Sequence, residues 1–385
     1  VKNLKTYKRR KRWIGSIVSV MMIAALFIGF MPAALATDKL PFPDVPTTHT
    51  YYDDICWAEE NGIVTGYNSK FDPEGEVTLL QFYTMLSRSI PEDETDTGIF
   101  GAEKGTMIYH LRRAVRRGWT GGYGNEIEIY KDNAIAVGAA WNHALTANGT
   151  QVYANQLYGG SRNPFKDGVR AAEELGLVSE NGTDEMKSTT RAEAVSIIHA
   201  ARLNKKAMSE PPIVTEMKSV VKNLPQGVFN DFYADMVKIP EPIRKAFITD
   251  GWIIRFDADK ISDYSDKNGI YGIGGMTVYS KKTIYLASAS SLLHEMGHYY
   301  QEKLRSSGMD ADVYSTFDSF RSEEKWSGPL YTSSRQTDGA EFFADAFAYY
   351  VKTGVVRTDL SGKDAENGLK SQRYFDSLAA QGWIY

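Results

Sequence analysis

Cysteine is almost absent from this sequence of 385 residues, because Cys56 is the only one. A single thiol can form no disulfide within the chain and no cluster of thiolate metal ligands. Histidine is also scarce, with six residues. A metal site in this chain would therefore draw mainly on a few imidazoles and on carboxylates.

Positive charge is not in excess outside the first twelve residues. VKNLKTYKRRKR carries seven Lys or Arg, and an apolar run from Trp13 to Phe30 and the small-residue pattern Ala34-Leu35-Ala36 follow it. This layout predicts a secretory signal peptide over residues 1–36, with an uncleaved membrane anchor as the alternative. Its removal lowers the Lys and Arg count from 44 to 37, against 48 Asp and Glu.

The remaining protein is acidic, and nucleic acids and anionic lipids are bound mainly by Lys and Arg. We therefore expect no nucleic-acid partner and no membrane span in the mature protein. Export without disulfides fits a bacterium with a thick wall better than an animal extracellular space.

Three similar stretches occur in the first half of the chain. AEENGIVTGYN at residues 58–68 is matched by AVRRGWTGGYGN at 114–125 and by AAEELGLVSENG at 171–182. In the first copy a helix from Tyr51 to Glu60 should end at Asn61-Gly62, and Thr78 should cap the next helix. A period of about 55 to 65 residues predicts repeats whose helical pairs bury their faces against one another.

FPDVP, WAEENGIVTGYN and TTRAEAVSIIHAAR resemble surface-layer (S-layer) homology repeats, most clearly in the first copy and at the end of the third. The resemblance covers about Pro41 to Leu203. It implies an all-α bundle of three pseudo-repeats over residues 37–203 that binds the secondary polysaccharide of the bacterial cell wall. The implied location is secreted, at the cell surface in the S-layer. The implied polysaccharide-binding residues are Arg191, Glu193 and Asp44.

One departure from these repeats concerns the binding element. Thr-Arg-Ala-Glu is intact only at residues 190–193, and the first copy reads Thr-Leu-Leu-Gln at residues 78–81. An arginine at this place can bond an acidic sugar substituent through two N–H groups. The alternative is a helical bundle that only spaces the second domain from the wall.

The polar segment NKKAMSEPPI at residues 204–213 is interpreted as a linker, and residues 214–385 as a second domain. GWIIRFDADKI at 251–261 and MTVYSKKTIYLAS at 276–288 are predicted strands. Two strongly helical segments follow, around residues 291–304 and 338–354. The fold class expected for the whole chain is therefore multidomain, with the all-α bundle followed by an α+β domain.

Two histidines stand one helical turn apart in SLLHEMGHYYQEKL, residues 291–304. On an α-helix His294 and His298 lie about 40° apart, so both can reach one ion. Glu295, about 100° round the helix, can lean toward a water on that ion. The alternatives are a buried network of histidine and carboxylate without an ion, or an acidic helix face turned to solvent.

A tetrahedral catalytic zinc needs three protein ligands and a water. The other four histidines and Cys56 all lie before residue 204, in the N-terminal domain, so the third ligand is most simply a carboxylate. Glu341 in GAEFFADAFAYY is the candidate, because an acid pair on an apolar helix is costly unless it is engaged. Asp345, one turn on, can accept the N–H of a ligating histidine.

LLHEMGHYYQ and EFFADAFAYY resemble the gluzincin metallopeptidases, and within them the lethal-factor-like group that includes secreted Pro-Pro endopeptidases. The resemblance covers about Ile270 to Val351. It implies a zincin-like fold and one catalytic Zn²⁺ held by His294, His298 and Glu341, with Glu295 as the base. That group has an oxyanion tyrosine about seven residues before the ligand glutamate. Position 334 is serine here, so Tyr331 is the candidate for that role.

The function predicted from these features is that of a secreted, cell-wall-anchored zinc metalloendopeptidase. It hydrolyses peptide bonds of a peptide or protein substrate with a zinc-bound water and a glutamate general base. One alternative is a non-catalytic S-layer-associated protein with an inactive zincin-like domain. Another is a wall-active glycosidase, which requires two paired carboxylates and no metal.

Overall fold

A computed structural model describes residues 42–98, 101–121, 126–180, 182–270, 272–324, 338–356 and 369–383. The predicted signal peptide, residues 1–36, lies outside the described residues. The described chain is multi-helical with a small mixed sheet.

The N-terminal unit, residues 42–203, is helical among its described residues. Its helices are α1 Tyr52–Glu60, α2 Leu79–Ser89, α3 Met107–Arg116, α4 Ile127–Tyr130, α5 Val137–Ala147, α6 Pro164–Glu174 and α7 Arg191–Leu203. Short 3₁₀ turns lie at Glu94–Asp96 and Asn155–Tyr158.

The C-terminal unit, residues 212–383, combines helices with four short strands in its described part. The helices are α8 Pro212–Met217, α9 Phe229–Met236, α10 Glu241–Thr249, α11 Ala258–Asn268, α12 Leu292–Ser306, α13 Val313–Glu324, α14 Gly339–Thr353 and α15 Lys370–Ala380. The strands are β1 Val221–Lys222, β2 Ile253–Phe256, β3 Gly275–Val278 and β4 Thr283–Leu286. Further 3₁₀ turns lie at Gln226–Val228, Tyr279–Lys281 and Ala289–Ser291.

The first helix ends, and the second helix begins, where the sequence predicts. Asn61 caps α1, and Gly62 follows in the left-handed region at φ +67°. Thr78 caps α2 through a reciprocal pair of hydrogen bonds with Gln81. These local residues define the helix ends because their side chains and backbone angles satisfy the terminal N–H and C=O groups.

A ring of three backbone hydrogen bonds joins distant parts of the N-terminal unit. The Val77 N–H donates to Thr189 O at 3.0 Å, and the Thr189 N–H donates to Ile135 O at 2.9 Å. The Ile135 N–H closes the ring on Val77 O at 3.0 Å. In each of the three segments a helix begins two residues later, namely α2, α5 and α7.

These three helices bury equivalent positions against one another. The fourth residue of each helix is fully buried, as Phe82, Ala140 and Ala194 are 0% exposed. The eighth residue of each helix repeats this pattern, with Leu86, Ala144 and Ile198 also at 0%. The N-terminal unit therefore has a pseudo-threefold core around the hydrogen-bonded ring.

The segment predicted as a linker, residues 204–213, lies against the N-terminal unit. The Ser209 N–H donates to Glu174 Oε1, and the ammonium of Lys206 donates to Leu175 O at 2.8 Å. Its last two residues belong to α8. Asn230 of α9 then bonds the backbone of Val152 and Ala154, so the two units are in direct contact.

The sheet of the C-terminal unit has the strand order β1-β2-β4-β3. β1, β2 and β4 are parallel, whereas β3 pairs with β4 in the antiparallel sense, with Thr277 opposite Ile284. β3 lies at the edge and packs against α12. This edge is therefore the part of the sheet nearest to α12, the helix that carries the HExxH motif formed by His294, Glu295 and His298.

The predicted strand at residues 251–261 is shorter than expected. β2 ends at Phe256, and α11 begins at Ala258. Asp257 ends the strand because its carboxylate accepts the Lys260 N–H at 2.9 Å and caps the helix. The apolar run that suggested a longer strand includes Ile261, which is instead buried on α11.

Candidate metal centre

Two helices of the C-terminal unit bring three potential metal ligands together. His294 and His298 come from α12, and Glu341 comes from the first turn of α14. Their nearest donor atoms all lie within 4.8 Å of one another. The two Nε2 atoms are 3.1 Å apart, and the carboxylate oxygens of Glu341 lie 3.3 Å and 3.4 Å from them.

Close contact between α12 and α14 makes this convergence possible. A Cβ placed on Gly297 would lie 2.7 Å from the Ala344 Cα, so a glycine is required where the helices touch. At the start of α14 the carboxylate of Asp338 accepts the N–H groups of Ala340 and Glu341. The cap and the close contact together fix Glu341 opposite the two histidines.

Asp345 is hydrogen-bonded to the ring nitrogen of His294 that points away from the other two ligands. Its Oδ1 atom lies 2.7 Å from His294 Nδ1, as the sequence predicts for a residue one turn after Glu341. Asp345 is 6% exposed, so this bond lies in a poorly solvated place. A proton on Nδ1 leaves Nε2 free to face the other two donors.

The charges around the cluster favour a cation. Burial lowers the pKa of His294, but the hydrogen bonds to Asp345 and Glu341 outweigh it and raise the pKa to about 10. Burial raises the pKa of Glu341, but the hydrogen bonds from both histidines hold it well below its usual range. Two imidazoles and one carboxylate form the donor set of three-ligand catalytic zinc sites. These residues therefore fit a zinc ion.

Glu295, the predicted base, points to the edge strand. It is 4% exposed, and its Oε2 atom accepts a hydrogen bond from Thr277 Oγ1 at 2.6 Å. Its negative charge also acts on His294. No role for Thr277 was predictable from the sequence, because alternation along a strand does not reveal which neighbour a side chain will meet.

Tyr331, predicted as the oxyanion tyrosine, lies outside the described residues. Its role stays a prediction.

The requirement for glycine at position 297 was not predicted from the sequence. A glycine inside a strongly helical stretch is nevertheless a signal that another backbone approaches closely.

The predicted polysaccharide-binding residues have different structural positions. Asp44 accepts the N–H groups of Phe71 and Asp72 at 2.8–2.9 Å and closes the loop of the first repeat. The guanidinium of Arg191 lies 5.3 Å from the centre of the Phe71 ring, and the charges of Asp44 and Asp72 act on it. The structure therefore brings Arg191 to this loop.

Glu193 is engaged in its own helix. Its carboxylate accepts the Thr190 N–H at 2.9 Å and pairs with the ammonium of Lys187 at 2.6 Å. It completes the N-terminal cap of α7, and its part in polysaccharide binding stays a prediction. The Arg191 Nε atom, in contrast, is buried and has no hydrogen-bond partner among the described residues.

Comparison with known proteins identifies one part of the chain. Residues 41–82 match the S-layer homology domain family. The chain is also 32% identical over 117 residues to an S-layer protein of Bacillus thuringiensis subsp. finitimus. That alignment covers 29% of this chain and 14% of the relative, so the chain spans about one seventh of the relative's length.

These similarities indicate where the protein acts. The chain carries an S-layer homology domain, and its location is the cell surface, in association with the S-layer. Within the described residues, every helix is too short or too polar to cross a membrane.

Proposed function

We propose that the protein is a zinc metalloendopeptidase attached to the bacterial cell wall, with a zincin-like fold in its C-terminal unit. The observation that carries the proposal is the convergence of His294, His298 and Glu341 within 4.8 Å. Chance convergence of three such donors does not explain the additional bond from Asp345 to His294. Metal-ligating histidines typically donate their other ring N–H to a carboxylate, as His294 can to Asp345.

The catalytic step requires a base beside the metal. A bound zinc ion would supply the Lewis acidity that activates a water and polarises the peptide carbonyl. Glu295 accepts the proton of the attacking water and later delivers it to the leaving amine. An extended peptide substrate can add to the edge strand β3, which places its backbone beside Glu295.

The N-terminal unit would attach this enzyme to the secondary cell-wall polysaccharide. Two features support this part of the proposal. One is the S-layer homology domain at residues 41–82. The other is the guanidinium of Arg191, which lies at the first repeat's loop and whose Nε has no hydrogen-bond partner among the described residues. An arginine so placed can bond an acidic sugar substituent. Among the three predicted residues, Arg191 is the one that we assign to this contact.

Elemental analysis of the purified protein tests the metal site. We expect one zinc per chain in the wild type and loss of zinc in His298→Ala and Glu341→Ala, because each removes one of three ligands. Glu295→Gln should retain zinc and lose cleavage of a peptide library, since the amide cannot accept the proton.

Three outcomes would contradict the proposal in different ways. No zinc in the wild type after reconstitution would leave a buried polar network in place of a metal centre. Zinc without cleavage of any peptide would favour the non-catalytic S-layer-associated protein. Full activity of Glu295→Gln would exclude this residue as the base.

A further inference from the structure

The side chain of Glu295 is held by one residue of the edge strand. Thr277 Oγ1 lies 2.6 Å from Glu295 Oε2 and 3.3 Å from the backbone oxygen of the same residue. A threonine hydroxyl has one hydrogen to donate, and an ionised carboxylate accepts only. The shorter distance assigns this hydrogen to Oε2, in a charge-assisted bond.

A second residue of the same strand leaves space for the other carboxylate oxygen. Gly275 and Thr277 are two apart on β3 and therefore share a face. A Cβ on Gly275 would lie 2.6 Å from Glu295 Cγ and 2.7 Å from Oε1. The strand thus binds Oε2 through Thr277 and accommodates Oε1 over Gly275.

β3 itself has a defined position. Its four residues pair with β4 from Gly275 opposite Leu286 to Val278 opposite Thr283. On β4, Ile284 and Leu286 are 0% exposed. Because the core fixes the position of β4, the pairing of β3 with β4 determines where Thr277 lies relative to α12.

From this geometry we infer that Thr277 is a positioning residue for the general base Glu295. Its hydroxyl donates a hydrogen bond to Oε2 and so restricts rotation of the Glu295 carboxylate. Oε1, on the Gly275 side, is then the oxygen that exchanges a proton with the attacking water. This inference rests on the proposed peptidase function. It adds a residue outside the HExxH motif to the catalytic arrangement.

Thr277→Val and Thr277→Ser separate this role from a packing role. Valine keeps the shape of threonine and removes the hydroxyl, whereas serine keeps the hydroxyl and removes the methyl group. We expect Thr277→Val to lower kcat roughly 10- to 100-fold, the effect of losing one hydrogen bond to a charged group. KM and zinc content should be unchanged, because neither a ligand nor the strand backbone is altered.

Thr277→Ser should retain most of the wild-type kcat, since the donor remains. Met276→Leu, on the other face of β3, is the matched control and should also retain it. Wild-type kcat in Thr277→Val, or an equal loss in valine and serine variants, would overturn the inference.

Crystal structures of the zinc-loaded wild type, Thr277→Val and Thr277→Ser provide a readout that does not depend on turnover. We expect the Glu295 carboxylate to rotate or become disordered only in the valine variant. An unchanged carboxylate in Thr277→Val would overturn the inference. If the wild type cleaves no peptide, the proposed function fails, whereas the crystal structures still decide whether Thr277 positions Glu295.

Discussion

Asp345 Oδ1 lies 2.7 Å from His294 Nδ1, on the side of the imidazole away from His298 and Glu341. With a metal ion bound, this bond would keep a proton on Nδ1 and leave Nε2 as the nitrogen that faces the cluster. The two residues are 51 positions apart and come from different helices. The geometry of the candidate zinc site therefore depends on a residue that is not itself a proposed ligand.

Removing this support should weaken zinc binding without abolishing it. We expect Asp345→Ala to lower the zinc affinity about 10- to 100-fold, since outer partners of ligating histidines typically contribute that much. Competition with a chromophoric chelator measures the affinity. Asp376→Ala, which removes a carboxylate bonded to Tyr350 Oη, is the matched control and should bind zinc like the wild type. Equal affinity of Asp345→Ala and the wild type would refute the assigned role.

The contact between α12 and α14 predicts a strict requirement for glycine at position 297. Gly297→Val should destabilise the protein by about 1–3 kcal/mol, because its side chain meets the backbone of Ala344 and forces the helices apart. Zinc should be lost in the same variant. Urea unfolding and zinc analysis measure both effects.

Gly227→Val provides the comparison for this test. Gly227 is exposed, and no atom of the described residues lies within 4 Å of a Cβ placed there. Its stability and zinc content should match those of the wild type. If the two valine variants have the same stability and zinc content, close packing at Gly297 is not required for the metal site.

Loss of Arg191 should weaken attachment to the cell wall. Arg191→Ala removes a partly buried guanidinium whose Nε has no partner among the described residues. We expect at least a tenfold weaker association with purified cell-wall polysaccharide, the order of one charge-assisted hydrogen bond. Arg116→Ala removes the same charge at an exposed site and should bind normally. Undiminished binding by Arg191→Ala would show that Arg191 does not contact the polysaccharide.

Two buried histidines should make the N-terminal unit sensitive to mild acid. Burial, with the charges of Arg88 and Arg113, lowers the pKa of His110 to about 4. Burial lowers that of His143 to about 4 as well. In the unfolded chain both titrate near their usual value of about 6.5. Between these values only the unfolded state binds protons, so stability should fall from about pH 6.5 to about pH 4.

Urea titrations followed by hydrogen exchange of α2 and α5 report this dependence for the N-terminal unit separately. His143→Gln should reduce the slope of stability against pH by roughly half, since one of two titrating groups is removed. Tyr83→Phe removes the hydroxyl 2.7 Å from His143 Nδ1 but keeps both histidines, so its slope should remain close to wild type. An unchanged slope in His143→Gln would show that this histidine does not titrate as described.

Local patterns were sufficient for much of the helical structure. The cap at Thr78, the end of α1 at Asn61-Gly62 and the common face of His294 and His298 follow from residues within one or two turns. The predicted contact between Asp345 and a histidine is present for the same reason, because helical periodicity places Asp345 one turn after Glu341. For Glu193, predicted to bind polysaccharide, the structure shows a carboxylate that caps α7, and its part in binding stays a prediction.

The sequence alone therefore determined which residues are candidates for the metal site and which helices present them, because helix periodicity and capping act over a few residues. The tertiary structure decided which distant residues meet. The ring of Val77, Ile135 and Thr189, the approach of Arg191 to Phe71 and the bond from Thr277 to Glu295 all join segments that are far apart or in different elements. Strand register and helix packing create these contacts, and both depend on burial across the whole core.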